Sequence, residues 1–291
     1  MEKKIKGVGV ALVTPFAESG EVDFGALDRL VDSVVAGGVD FLVALGTTAE
    51  TPTLTHAERR AVAEAIVRRN AGRVPVVIGM GGNDTAGLCQ QLREFDPTGF
   101  AGVLSVTPYY NKPTQEGLYR HFKAVAEASP LPVILYNVPG RTGVNMSAAT
   151  TLRIARDCPN VCAVKEACGD IRQMEELVAG APEGFAVLSG DDALTLPLIS
   201  VGGDGIISVV ANAFPEKFST VVHTAISGSV ARAEGLWADF EGLCPLLFEE
   251  GNPAGIKGAL SVRGICRPDV RLPLVAASPS LLSRLASLIL K

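Results

Sequence analysis

The sequence predicts an α/β fold, a (β/α)8 TIM barrel with a C-terminal helical appendage, and three observations carry that expectation. Short apolar runs alternate with longer amphipathic segments from residue 8 to residue 210. The runs are near-continuous in apolar residues, which suits strands buried on both faces of a parallel sheet. Eight such units follow one another at intervals of about 30 residues, whereas an open doubly wound sheet more often stops short of that number.

Taken in order, the strands are expected at 8–13, 41–45, 74–78, 101–106, 133–135, 161–164, 185–188 and 205–210. Helices fit the intervening stretches 24–36, 56–70, 85–95, 115–129, 147–156, 171–179 and 193–201. Ala36-Gly37-Gly38-Val39-Asp40 before the second strand is echoed by Val201-Gly202-Gly203-Asp204-Gly205 before the eighth, and both read as helix C-caps entering a strand. The second cluster is not a phosphate loop, because it precedes its strand and so belongs to the bottom of a barrel. From about residue 227 strand character is lost, and helices are expected at 230–247, 253–263 and 279–290. Pro245 and the Arg267-Pro268-Asp269 loop mark the breaks. The chain thus divides into a barrel domain, 1–226, and a helical domain, 227–291.

Composition narrows the function classes. Hydrophobic residues make up 47% and aromatics 5%, a core of many small and medium side chains. A net charge of -5 with no basic run offers no footprint for nucleic acid or an anionic membrane surface. The six cysteines, at 89, 158, 162, 168, 244 and 266, form no CxxC pair and have no His at metal-site spacing. Free thiols in a reducing cytosol and no metal are expected. Met1 to Lys6 contains no apolar leader core, and no stretch reaches the length of a membrane span, so a cytoplasmic protein is expected.

The chemistry is expected around Asn160-Val161-Cys162-Ala163-Val164-Lys165-Glu166. Lys165 ends a buried strand, where it must neutralise an acid or lose charge to desolvation; a neutral amine attacks carbonyl carbons. The plainer alternative is a lysine reaching solvent at a strand end, paired with Glu166. In a barrel, function lies in the loops that leave strands. Those loops carry Gly46-Thr47-Thr48-Ala49-Glu50, Gly81-Gly82-Asn83, Thr107-Pro108-Tyr109-Tyr110-Asn111, Tyr136 to Thr142, Lys165-Glu166 and Ser189-Gly190-Asp191-Asp192, whereas the loops entering strands are Gly, Pro and Asn punctuation. If Lys165 attacks a ketone, Tyr136 on the preceding strand is placed to relay protons, with Thr47 beyond it. The backbone N–H groups of Thr47 and Thr48, opening a helix, suit a carboxylate, and Arg141 suits a second one. Against these roles stand an N-cap for the threonines, core packing for Tyr136 and a surface site for Arg141. Glu166 is expected to order the Lys165 loop, Asp191-Asp192 to cap a helix, and His56, His121 and His223 to be structural or surface residues.

Four motifs together carry a family resemblance: Gly46-Thr47-Thr48-x-Glu50, Pro108 to Pro113, Tyr136-Asn137-Val138-Pro139-x-Arg141-Thr142-Gly143 and Val164-Lys165-Glu166-Ala167. In this order and spacing, over nearly the whole chain, the sequence resembles the dihydrodipicolinate synthase family. The resemblance implies a homo-oligomeric barrel, a dimer of dimers, that condenses pyruvate with L-aspartate 4-semialdehyde in lysine and diaminopimelate biosynthesis, with no cofactor. It implies that Lys165 forms the pyruvate Schiff base and that Tyr136, Thr47 and Tyr110 relay protons, Tyr110 reaching a neighbouring subunit. Thr47 and Thr48 would hold the pyruvate carboxylate, Arg141 the semialdehyde carboxylate, and Gly190 and Ile207 would line the pocket through their backbones.

Two departures stand out. Ala49 replaces the family's usual Gly, a change expected to be tolerated. Members inhibited by lysine hold its amine with a Glu where this chain has Gly87, and carry a His where this chain has Arg59. The regulatory positions His56, Asn83 and Tyr109 remain, yet lysine inhibition is expected to be weak or absent. N-acetylneuraminate lyase and 2-keto-3-deoxy sugar acid aldolases share the lysine and tyrosine and form the alternative. Thr47, the Tyr109-Tyr110 pair and Arg141 speak for the shorter substrate. A non-catalytic metabolite-binding barrel would have lost Lys165, Tyr136 or Thr47.

Overall fold

The computed structural model describes residues 5–290; Lys291 and Met1 to Lys4, part of the segment read above for a leader, lie outside the described residues. The first half contains β1 (Gly7–Ala11), α1 (Phe24–Ala36), β2 (Phe41–Ala44), α2 (His56–Asn70), β3 (Val76–Gly79), α3 (Thr85–Glu94), β4 (Gly102–Val106) and α4 (Gln115–Ala128). Then come β5 (Val133–Asn137), α5 (Pro139–Thr142), α6 (Ala148–Asp157), β6 (Val161–Glu166), α7 (Ile171–Gly180), β7 (Ala186–Ser189), α8 (Thr195–Ser200) and β8 (Gly205–Ser208). The chain ends in α9 (Pro215–Ile226), α10 (Val230–Glu241), α11 (Leu243–Glu249), α12 (Ala254–Val262) and α13 (Pro279–Ile289). The strands run in order from β1 to β8 as a closed barrel, the expected fold.

Local chemistry sets where each helix begins and hence how much chain is left for the loop before it. Asp23, Thr55, Asp84, Thr114, Ser147 and Asp170 each accept a backbone N–H in the first turn of their helix. Thr55 forms a full capping box with Glu58.

Several expectations change. The helix α9 was not foreseen; Pro215 opens it, where a missing N–H costs nothing. The first tail helix breaks at Gly242, and Pro245 sits in the first turn of α11. The stretch 193–201 is a short 3-10 turn, Asp192–Leu194, followed by α8. The eighth strand stops at Ser208, whose Oγ accepts the Ala211 N–H at 3.0 Å and turns the chain.

Contacts group the described residues into two compact units, one of 5–7 with Pro75–Ile207 and one of Val8–Val74 with 208–290. The first is packed with Val103, Ile134, Leu135, Val164, Val187 and Leu188, all buried. Gly205 (φ 141°) has no room for a side chain, since a Cβ would lie 2.0 Å from the Gly7 carbonyl. The second unit has a ring cluster in which Phe218 meets Phe240 and Trp237 edge-on, at 5.6 and 6.0 Å. The Gly37-Gly38 corner is the expected C-cap, with the Gly37 N–H donating to the Ser33 carbonyl and the Gly38 N–H to the Val35 carbonyl. His223 on α9 lies 2.7 Å from Asp40, which holds its pKa above the usual histidine value.

His121, mid-α4 and structural as expected, is buried with Nδ1 2.8 Å from Thr85 Oγ1. Burial pushes its pKa down to about 4 from an ordinary 6.5. A folded pKa below the unfolded one means that stability is complete above pH 6.5 and is lost as pH falls toward 4. The loss is on the order of 3 kcal/mol. Urea unfolding of His121→Leu at pH 7 and pH 4 should show a smaller acid-induced loss than the parent by about that amount.

Candidate active site

The site is built on β5 and β6, both in the first unit. They pair in parallel with Tyr136 opposite Lys165 and Asn137 opposite Glu166. Successive residues on a strand point to opposite faces, so the first pair and the second pair serve different surfaces. Lys165 and Tyr136 share one face: both are buried, and Nζ lies 4.2 Å from the Tyr136 ring centroid. Among the described residues no carboxylate forms an ion pair with Lys165, so its partner is not Glu166.

Glu166 faces the helices instead. Its carboxylate accepts from Asn137 Nδ2 at 2.9 and 3.1 Å, Gln173 Nε2 at 3.0 Å and the Cys168 N–H at 2.8 Å. Burial pushes its pKa up, against the pull of these donors. Asn137 also donates to the carbonyl of Met146 and accepts the Met146 N–H at 2.9 Å. Glu166 therefore orders the loop after Lys165, as expected, and through Asn137 anchors the loop that carries Arg141. Arg141 is exposed, on the single turn α5.

Gly190 follows β7 and donates its N–H to the Glu166 carbonyl at 2.7 Å. A Cβ on Gly190 would lie 2.7 Å from Ala167 Cβ and 3.1 Å from both Cγ and Cε of Lys165. Glycine here lets the lysine stem lie flat along the loop. Asp191 caps the next turn by accepting the Ala193 N–H at 2.9 Å, the expected capping role. Ile207 is a buried residue of β8.

The loop after β4 turns outward. Tyr110 has φ 72° and is 90% exposed, so its phenol plays no part in the packing of its own unit. Asn83 Nδ2 donates to the Tyr109 carbonyl and Asn111 Nδ2 to the Asn83 carbonyl, each at 3.0 Å, and these bonds clamp the loop. At Gly87 a Cβ would meet Asp84 Oδ2 at 2.6 Å.

In the second unit, Thr47–Ala49 form a 3-10 turn after β2, not the start of a regular helix; α2 begins only at His56, which is exposed. The positive φ values fall on Leu45 and Glu50, both 55°, rather than on Ala49. The Cβ of Ala49 is thereby tolerated, as expected. Thr14 Oγ1 donates to the Ala49 carbonyl at 2.7 Å and Thr51 Oγ1 to the Gly46 carbonyl at 3.0 Å. Arg59 Nε donates to the carbonyls of Thr51 and Leu54 at 3.1 and 3.0 Å. Glu50 is fully buried and accepts from Lys257 Nζ at 2.5 Å and the Arg271 N–H at 2.8 Å. Burial pushes the Lys257 pKa down, opposed by the charge of Glu50. Asn252 Nδ2 donates to Thr48 Oγ1 at 2.9 Å.

Sequence reasoning missed Asn252, Lys257 and Arg271. A signal existed for one of them: Lys257 is the single charge in the apolar helix Ala254–Val262, where a buried charge calls for an opposite partner. Asn252 and Arg271 had no such mark.

The Gly190 contact yields a test. Gly190→Ala should cost about 1–3 kcal/mol from overpacking, read by thermal melting. It should also slow borohydride trapping of a ketone on Lys165 by about tenfold to hundredfold, because the amine is displaced.

Residues 4–291 match the model of the Dihydrodipicolinate synthetase family. The 4-hydroxy-tetrahydrodipicolinate synthase of Porphyromonas gingivalis is 50% identical over 278 residues, covering 95% of this chain and 94% of that protein. A monomeric dihydrodipicolinate synthase variant superposes with a TM-score of 0.95 at 41% identity, covering 98% of this chain and 96% of the other. The chloride-inhibited dihydrodipicolinate synthase from Acinetobacter baumannii, complexed with pyruvate, superposes with a TM-score of 0.94 at 40% identity, with 98% of both chains covered. With its four motifs on the ends of barrel strands and this likeness running along nearly its whole length, the chain belongs to the dihydrodipicolinate synthetase family.

Proposed function

We propose that this chain carries out its family's reaction, the condensation of pyruvate with L-aspartate 4-semialdehyde to 4-hydroxy-tetrahydrodipicolinate, through a Schiff base on Lys165. The observation that carries the mechanism is the buried amine of Lys165 beside the Tyr136 ring, with Gly190 making room for its stem. The Nζ lone pair attacks the C2 carbonyl of pyruvate, and loss of water from the carbinolamine forms the imine. Loss of a methyl proton then gives the enamine that attacks the aldehyde, and the semialdehyde's amino group attacks the regenerated imine carbon, closing the ring and releasing the Lys165 amine. Tyr136, Thr47 and Tyr110 move the protons these steps release and require.

Thr47 and Thr48 receive the pyruvate carboxylate, since the first N–H groups of a short turn have no partners within it. Arg141 receives the semialdehyde carboxylate on its exposed turn, and the backbones of Gly190 and Ile207 line the pocket. A phenol 90% exposed serves a relay only if another copy covers it, so Tyr110 supports a homo-oligomer, with a dimer of dimers as the working assembly. We assign the chemistry to residues 1–226 and a supporting role to the helices of 227–291. Among the described residues no helix is long and apolar enough to cross a membrane, and a cytoplasmic site of action suits the pathway.

Sialic acid lyase and keto-sugar aldolase activity are the second reading, favoured only by the shared lysine and tyrosine. Regulation by lysine is expected to be weak, because Gly87 offers no carboxylate for the amine and Asn83 is engaged with the Tyr109 carbonyl.

A coupled assay with both substrates and an added reductase tests the reaction directly: robust NADPH oxidation is expected, and none from folded protein would favour the second reading. Lys165→Ala should abolish both turnover and borohydride trapping with pyruvate. Tyr110→Phe should leave the melting temperature unchanged and lower kcat by about a hundredfold to ten-thousandfold, the range of a lost proton-transfer group. Titration with lysine should leave activity essentially intact; half-inhibition below millimolar lysine would refute the regulatory expectation.

A further inference from the structure

Thr48 is 2% exposed, so its hydroxyl has only fixed neighbours. A hydroxyl has one proton to give and lone pairs to fill. One lone pair is taken by Asn252, whose Nδ2 donates to Oγ1 at 2.9 Å across 204 residues of sequence. An amide nitrogen can only donate, so the Thr48 proton must point to another acceptor. Among the described residues no protein acceptor receives it.

Asn252 stands just before the helix whose Lys257 forms an ion pair with Glu50, two residues beyond Thr48. Lys257, five residues after Asn252, donates Nζ to Glu50 at 2.5 Å and to the Asp269 carbonyl at 2.8 Å. Its ammonium also lies 4.1 Å from the centroid of Phe16. Arg271 closes the other carboxylate oxygen of Glu50 through its N–H and packs over the same ring at 4.4 Å. Both partners of the ion pair have fully buried side chains, so the pair is costly to break and holds α12 against the turn. Two carbonyls of the turn are engaged as well, Ala49 by Thr14 and Gly46 by Thr51.

We propose that Asn252 is a positioning residue for the substrate carboxylate: by donating to Thr48 it fixes the Thr48 hydroxyl as a donor, so that the proton is presented to the carboxylate of the keto acid. The inference rests on the reading that Thr48 binds that carboxylate, and it adds a specificity role for the C-terminal helices.

The test is a steady-state comparison of Asn252→Asp, Thr48→Val and the double variant. A carboxylate at 252 can only accept, so it captures the Thr48 proton and sets a like charge near the substrate's. Asn252→Asp should raise the KM for pyruvate by about tenfold or more, the effect of losing a hydrogen bond to a charged group. The KM for the semialdehyde should not move, which a general loss of structure would not achieve. In the Thr48→Val background the same substitution should act at least about threefold more weakly, since the two residues act through one bond. An unchanged pyruvate KM in Asn252→Asp with a raised KM in Thr48→Val overturns the inference and leaves the carboxylate site standing. Unchanged values in both remove the carboxylate site itself, and the inference with it. Should Asn252→Asp fail to fold, Asn252→Ser, which can still donate, should stay closer to the native KM than Asn252→Ala; equal values would overturn the inference.

Discussion

Parallel pairing of β5 with β6 in a single register sets Tyr136 beside Lys165 and, one residue on, Asn137 beside Glu166. Because neighbouring residues on a strand face opposite sides, this pairing separates two jobs that the sequence runs together. One face receives an amine and an aromatic ring. The other receives a carboxylate and the amide that binds it. A slip of one residue would exchange the faces and put Glu166 against the tyrosine, so the chemistry depends on a register that the buried residues Ile134, Leu135, Ala163 and Val164 enforce.

The consequence for Lys165 is electrostatic. A lysine next to a glutamate in sequence invites an ion pair, and an ion-paired lysine keeps its proton and attacks nothing. Here the glutamate is occupied by Asn137, Gln173 and the Cys168 N–H, all on the helical side. Those bonds hold a buried carboxylate without a cation, and they carry information outward: Asn137 ties β5 to Met146, at the end of the loop bearing Arg141. The residues that occupy the glutamate also anchor the loop that carries the arginine.

The threonine turn follows a different logic. Two non-glycine residues, Leu45 and Glu50, sit in the left-handed region on either side of it, a conformation that needs support from outside the turn. Thr14, Thr51 and the buried pair of Glu50 with Lys257 supply that support. A buried ion pair adds little net stability compared with a well-packed apolar pair, but losing either partner alone is expensive. Such an arrangement is suited to holding one geometry. The helices after the barrel thus help to hold a turn more than 200 positions earlier in the chain.

The sequence by itself determined the barrel, the order of its strands and the loops that carry chemistry, because these follow from local apolar runs, capping residues and the rule that parallel strands expose function at one end. Lys165, Tyr136, Thr47 and Arg141 were legible as candidates for the same reason: Lys165 and Tyr136 directly follow an apolar run, and Thr47 and Arg141 lie in the loops that leave one. Glu166 as an ordering residue and Asp191 as a cap were legible from spacing alone. Only the tertiary structure decided that Lys165 and Glu166 serve opposite faces of a pair of strands, that Gly190 is needed to seat the lysine stem, and that Ala49 is harmless because the left-handed positions lie at Leu45 and Glu50. Only it could join Asn252 to Thr48 and Lys257 to Glu50. Periodicity and caps report on a few neighbouring residues, whereas a hydrogen bond across 204 residues depends on how the whole chain closes.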